Sequence, residues 1–174
     1  LNYCTISGNT AMASSKSVSG GGVYIEKGSF TMEGCIISGN TAGSETSDAN
    51  AYGGGIYGAS GTNITTNDTT IFGNKVASKN YVDGAGVYLS GAELTMQENS
   101  KISGNSCVFG EHASSYGGGV YINNSSTFEM TSGEISKNSA KYGGGVSVSG
   151  GTFIMNGGSI SSNTVSSKGK GVYV

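Results

Sequence analysis

Short alternations of apolar and polar residues recur along this chain, separated by glycine, serine and asparagine, and three kinds of run repeat in fixed order. The first opens on glycine: GGGVYI from Gly20, GGGIYG from Gly53, GAGVYL from Gly84, GGGVYI from Gly117, GGGVSV from Gly143 and GKGVYV from Gly169. The second runs Phe30 to Met32, Leu94 to Met96, Phe128 to Met130 and Phe153 to Met155. The third is isoleucine, two residues, then asparagine. It gives one column of Ile6, Ile37, Ile71, Ile102, Ile135 and Ile160, and another of Asn9, Asn40, Asn74, Asn105, Asn138 and Asn163. A period of two predicts strands whose neighbouring side chains face opposite ways.

Self-similarity of this kind means a stacked array, because one short unit cannot bury its own apolar face. Three strands per unit in constant order predict an all-β parallel β-helix of about six rungs, one domain over residues 1–174. Val23, Ile56, Val87, Val120, Val146 and Val172 should point inward, with Ile25, Leu89, Ile122, Val148 and Val174 beside them. The Phe and Met positions and the isoleucine column complete the core. Like side chains then stack at about 4.8 Å per rung as apolar ladders.

Composition alone points elsewhere: 32 glycines in 174 residues, 35% hydrophobic and 11% charged residues approach a low-complexity profile. The repeat overrules it, since short rungs bury few residues each and turn sharply at glycine. A net charge of −2, with nine lysines and no arginine, leaves no basic stripe for nucleic acid or anionic lipid. No apolar run reaches the roughly 20 residues of a membrane span, so no membrane insertion of this segment is expected. The chain begins and stops inside a rung, which fits excision from a longer array, or end-to-end self-association through open strand edges.

The asparagine column reads as structural. Asparagine tolerates a left-handed turn, and its amide both donates and accepts along a stack. The opener glycines read the same way, because no Gly-Lys-Ser/Thr follows to cradle a phosphate.

Two surfaces are candidates for binding. Tyr24, Tyr57, Tyr88, Tyr121 and Tyr173 form an outward column on the first strand, interrupted by Ser147. Tyrosine joins apolar area to a hydrogen-bonding tip suited to sugars or peptides, yet it is also a good strand former whose stacking stabilises neighbouring rungs. Connections from ladder asparagine to the next opener span 10, 12, 9, 11, 4 and 5 residues, so the added length falls at one corner. These loops carry Asp48, Tyr52, Asp83, Glu111, His112 and Tyr116. Recognition and mere tolerance of surface insertion both explain them.

Catalysis finds little support. Asp48, Asp68 and Asp83 are scattered, Glu129 and Glu134 fall on different strands, and His112 has no nucleophile signal beside it. The glycine openers run into Val-Tyr or Ile-Tyr rather than aspartate, so neither calcium nor another metal or cofactor is expected. Cys4 and Cys35 share a rung position. A disulfide needs converging side chains, and two buried thiols in an apolar column are the expectation. Cys107 has no partner, and no CxxC pair suggests zinc. An ice-binding face is excluded by Glu129, Ile154, Lys101 and Glu134 in the outward columns that begin at Thr31 and Thr5.

The pairing of a Gly-Gly-x-Ile/Val opener with the Ile-x-x-Asn motif resembles the repeats of chlamydial polymorphic outer membrane proteins, and of similar right-handed β-helix surface proteins of spirochaetes and gut bacteria. The matching tetrapeptides are Ile6 to Asn9, Ile37 to Asn40, Ile71 to Asn74, Ile102 to Asn105, Ile135 to Asn138 and Ile160 to Asn163. What the resemblance implies is right-handed coiling, exposure at the bacterial surface, and adhesion or passenger display toward a host or neighbouring-cell glycan or protein. A non-binding structural stalk or filament-forming spacer is the alternative, and a polysaccharide lyase or hydrolase the third.

Overall fold

The structure is a computed structural model and describes residues 1–13, 16–111 and 113–174. Every paired strand in it is parallel, and the described residues contain no helix; none is therefore long and apolar enough to cross a membrane. The isoleucine motifs form a six-stranded sheet: Thr5–Ser7, Ile36–Ser38, Thr70–Phe72, Lys101–Ser103, Glu134–Ser136 and Ser159–Ser161. Its register places Ile6, Ile37, Ile71, Ile102, Ile135 and Ile160 over one another. The second runs build a five-stranded sheet from Gly28–Glu33 to Gly151–Met155. The openers build a six-stranded one from Val23–Ile25 to Val172–Tyr173. The molecule is a parallel β-solenoid, with fewer complete turns than motif copies because the outermost copies lie in partial rungs.

Its core follows the alternation. Met32, Ile37, Ile56, Ile64, Ile71, Leu89, Leu94, Met96, Ile102, Ile122, Phe128 and Met130 are fully buried, and Phe128 stacks on Phe153 at 5.0 Å. Members of the outermost rungs, among them Met155, Val172 and Val174, are exposed.

The asparagine ladder is continuous. Each side-chain Nδ2 donates to the Oδ1 of the next asparagine at 2.9 to 3.0 Å, from Asn9 through to Asn163. The backbone N–H of each donates to that same oxygen. The left-handed backbone expected at the asparagines lies instead one residue earlier, at Gly8, Gly39, Gly73 and Gly104, with φ between 61° and 68°. That shift leaves each asparagine free to turn its amide inward. In the last two copies Lys137 and Ser162 take the same conformation, at φ 58° and 55°. A side chain there costs about 1–2 kcal/mol, part of which glycine gives back in chain entropy. Lys137→Gly should therefore raise stability by about 1 kcal/mol in urea unfolding; a less stable variant would contradict this.

The connections between motif and opener are not loops; where they are long, the rung has two strand positions beyond the three expected, both in a fourth sheet. Thr41–Gly43, Lys75–Ser78 and Ser106–Phe109 run outward, and Ala51–Tyr52, Val82–Asp83 and Ser115–Tyr116 run back. Stacked, they form a wing on the solenoid with its own apolar interior of Val18, Ala42, Ala51, Val76, Val82, Ala85, Cys107 and Ala140. Where the connection shortens, one strand, Ser139–Tyr142, pairs with both flanks and closes the wing.

Candidate functional site

The return strand of the wing ends one residue before the opener glycine, and that glycine takes φ 61° to 70° in all six copies. The chain turns there and enters the opener strand three residues on. The third opener glycine fits tightly against the ladder. A Cβ on Gly55 would lie 2.6 Å from the Gly86 carbonyl and 3.0 Å from Asn74 Nδ2, and Gly86 is confined in the same way by Gly119 and Asn105. Each wing position just before the opener therefore stands five residues from an outward opener residue, on the far side of a sharp corner.

Two columns result. The opener column holds Tyr24, Tyr57, Tyr88, Tyr121, Ser147 and Tyr173 in register. The wing column holds Ser19, Tyr52, Asp83, Tyr116, Tyr142 and Lys168. Side chains from the two outer faces touch: Tyr52 meets Tyr88 at 5.0 Å, Tyr116 meets Tyr121 at 6.0 Å, and Tyr142 meets Tyr173 at 5.2 Å between ring centroids. Outer faces whose side chains touch meet at an inward angle, so the corner is a cleft, a shallow furrow along the solenoid whose base the touching rings fill. Eight of the ten tyrosines line it.

The cleft revises the tyrosine column expected from sequence. Tyr24 is 53% exposed and Tyr57 and Tyr173 are half-buried, but Tyr88 and Tyr121 are only 7% and 6% exposed. They form the floor, covered by the wing tyrosines. Half-buried Tyr52, Tyr116 and Tyr142 are the additional lining residues. Their sequence signal is the tyrosine directly before the opener in YGGGIY, YGGGVY and YGGGVS.

Asp83 interrupts the wing column and is 7% exposed. Its Oδ1 accepts the Tyr116 backbone N–H at 3.0 Å. Burial pushes its carboxyl up to about 7, against the downward pull of that hydrogen bond. Burial likewise raises the hydroxyls of Tyr52, Tyr88, Tyr116 and Tyr121, with the Asp83 carboxylate adding to each. These phenols stay protonated near neutral pH and can donate hydrogen bonds. The arrangement can stack and hydrogen-bond, and above about pH 7 it presents one buried negative charge, on Asp83.

Other candidate residues lie elsewhere. Asp48 is at the wing tip, where Lys79 approaches it at 3.7 Å, and Asp68 sits at a left-handed turn. Glu129 accepts from Asn156 Nδ2 on the second-run sheet, away from the cleft. His112 lies outside the described residues, and among those described no group of three His, Cys, Asp or Glu stands close enough to hold a metal ion. Cys4 is exposed rather than buried; Cys35 is buried and accepts the Cys4 N–H at 3.4 Å, and both thiols are free. Cys107 faces the wing interior, where burial pushes its thiol up.

Comparison with protein-family models, with curated proteins and with solved structures finds no match to this chain.

Proposed function

We propose that this chain is a bacterial cell-surface β-solenoid module for adhesion or passenger display, taking carbohydrate or protein in its tyrosine cleft. The observation that carries the reading is the meeting of two tyrosine columns over a buried carboxyl. A surface built only for stacking needs one column; two that converge leave an amphipathic furrow of a kind suited to recognition. The extracellular setting and the class of partner rest on the repeat resemblance. A non-binding stalk is the second reading, and the unbroken asparagine ladder, buried from Asn40 to Asn163, favours it by stiffening the column.

A glycan and matrix-protein array decides between them. Tyr57→Ala should weaken a specific signal about tenfold, which is 1.4 kcal/mol. Tyr3, 80% exposed at a different corner, serves as control, and Tyr3→Ala should bind like the parent. No signal from the folded parent would overturn recognition in favour of the stalk.

A further inference from the structure

The spacing of the rings says more about the ligand. Tyr24, Tyr57 and Tyr88 follow one another at 5.1 Å with ring planes 6° apart. That spacing is about the rise of one rung. Tyr24 is exposed and Tyr57 half-buried, whereas Tyr88 lies beneath Tyr52. Half-buried Tyr116 and Tyr142 repeat the spacing at 5.0 Å on the wing side. An extended peptide presents same-side groups about 6.6 to 6.8 Å apart and drifts out of step with such a row. A pyranose chain with equatorial 1,4 linkages advances by roughly one rung per sugar, and the C–H faces of its rings complement the negative face of a phenol.

Charge narrows the choice. Asp83 places a carboxylate under the middle of the row, beside Tyr52, Tyr88, Tyr116 and Tyr121. Ionised above about pH 7 and only 7% exposed, it repels an approaching anion more strongly than a charge in open water would. Among the described residues, Lys168 is in register with it three rungs away and exposed, and Lys141 Nζ lies 5.8 Å from the Tyr142 ring centre two rungs away, where it donates to the Ala113 carbonyl. A uronate polymer, carrying a carboxylate on each sugar, cannot avoid Asp83 along this path.

We infer that the cleft takes a neutral, extended 1,4-linked pyranose chain lying parallel to the solenoid axis, one sugar per rung. Tyr24, Tyr57, Tyr52, Tyr116, Tyr142 and Tyr173 supply the contact faces, and Asp83 discriminates against acidic glycans. The inference rests on the recognition reading above and specifies its ligand.

The chain has no tryptophan, so its tyrosine emission reports largely on the cleft. Titration with neutral β-1,4-linked glucose oligomers of two to six units should show affinity rising with each sugar, by at least tenfold across the series. Tyr57→Ala, with unchanged circular dichroism, should lower hexamer affinity about tenfold. At pH 8, where Asp83 is ionised, a 1,4-linked uronate hexamer should bind at least tenfold more weakly, and Asp83→Asn should narrow that gap. Affinity independent of chain length, or a uronate hexamer binding as well as the neutral one, would overturn the inference. Array binding to proteins alone would also overturn it while leaving recognition intact. No binding to any probe would remove both.

Discussion

Asn105→Leu should destabilise the fold by about 4 kcal/mol, which for a chain of this size lowers Tm by about 10 °C. The Asn105 side chain makes four hydrogen bonds in a wholly buried site. Its Oδ1 accepts Asn74 N–H and Nδ2 at 2.9 and 3.0 Å, and its Nδ2 donates to Asn138 Oδ1 and the Ile71 carbonyl at 2.9 and 3.1 Å. Some partners keep a second bond: Asn74 Nδ2 still reaches the Ile37 carbonyl, and Asn138 Oδ1 still accepts Asn105 N–H. The Asn74 N–H is left with no partner and the Ile71 carbonyl keeps only its strand-ladder bond, so the loss is about four hydrogen bonds at about 1 kcal/mol each. Asn9 has the same motif but is exposed, and its amide only donates to Asn40. Asn9→Leu should therefore cost less than about 1.5 kcal/mol, since water replaces what is lost. Equal losses in the two variants, by urea or thermal unfolding, would show that the ladder does not act through buried hydrogen bonds.

That contrast also shows what the sequence could and could not convey. The ladder and isoleucine columns were legible because motif and opener are separated by nearly constant lengths, and constant length fixes register. Side-chain direction followed from alternation, which is why Met32, Leu94 and Phe128 were placed correctly in the core. The wing was not legible. Its return strands, such as Val82–Asp83, are two residues long, too short to display a period, and its interior is built from alanine, valine and cysteine rather than long aliphatics. Without the wing, Tyr52, Asp83 and Tyr116 read as loop residues, and Tyr88 and Tyr121 as exposed. Their burial comes from a neighbouring surface that only the fold brings near. The left-handed turn was misplaced by one residue for a local reason. Asparagine and glycine both tolerate positive φ, and Gly-Asn in four motifs left the choice between them to the buried amide.

Asp83→Asn should stabilise the protein by about 4 kcal/mol at pH 8 and by about 1 kcal/mol at pH 4.5. The direction follows from which state holds the proton. The carboxyl titrates at about 7 when folded against an ordinary value of 3.8. Below pH 4 both states are protonated and the group adds no pH dependence. Between 4 and 7 the unfolded chain releases its proton while the folded one retains it, so stability falls by about 1.4 kcal/mol per pH unit. Above 7 the folded carboxyl is ionised too, and the full penalty of a buried charge, up to about 4 kcal/mol, is present. Its surroundings do not add to this window, since burial raises the Tyr52, Tyr88, Tyr116 and Tyr121 hydroxyls and the Cys107 thiol away from it. Asparagine can keep the acceptor for the Tyr116 N–H and removes the charge. Denaturant unfolding of parent and variant at both pH values tests this, because every other titrating group is common to the two and cancels in the difference. A difference that stays constant between pH 4.5 and 8 would mean that Asp83 ionises normally.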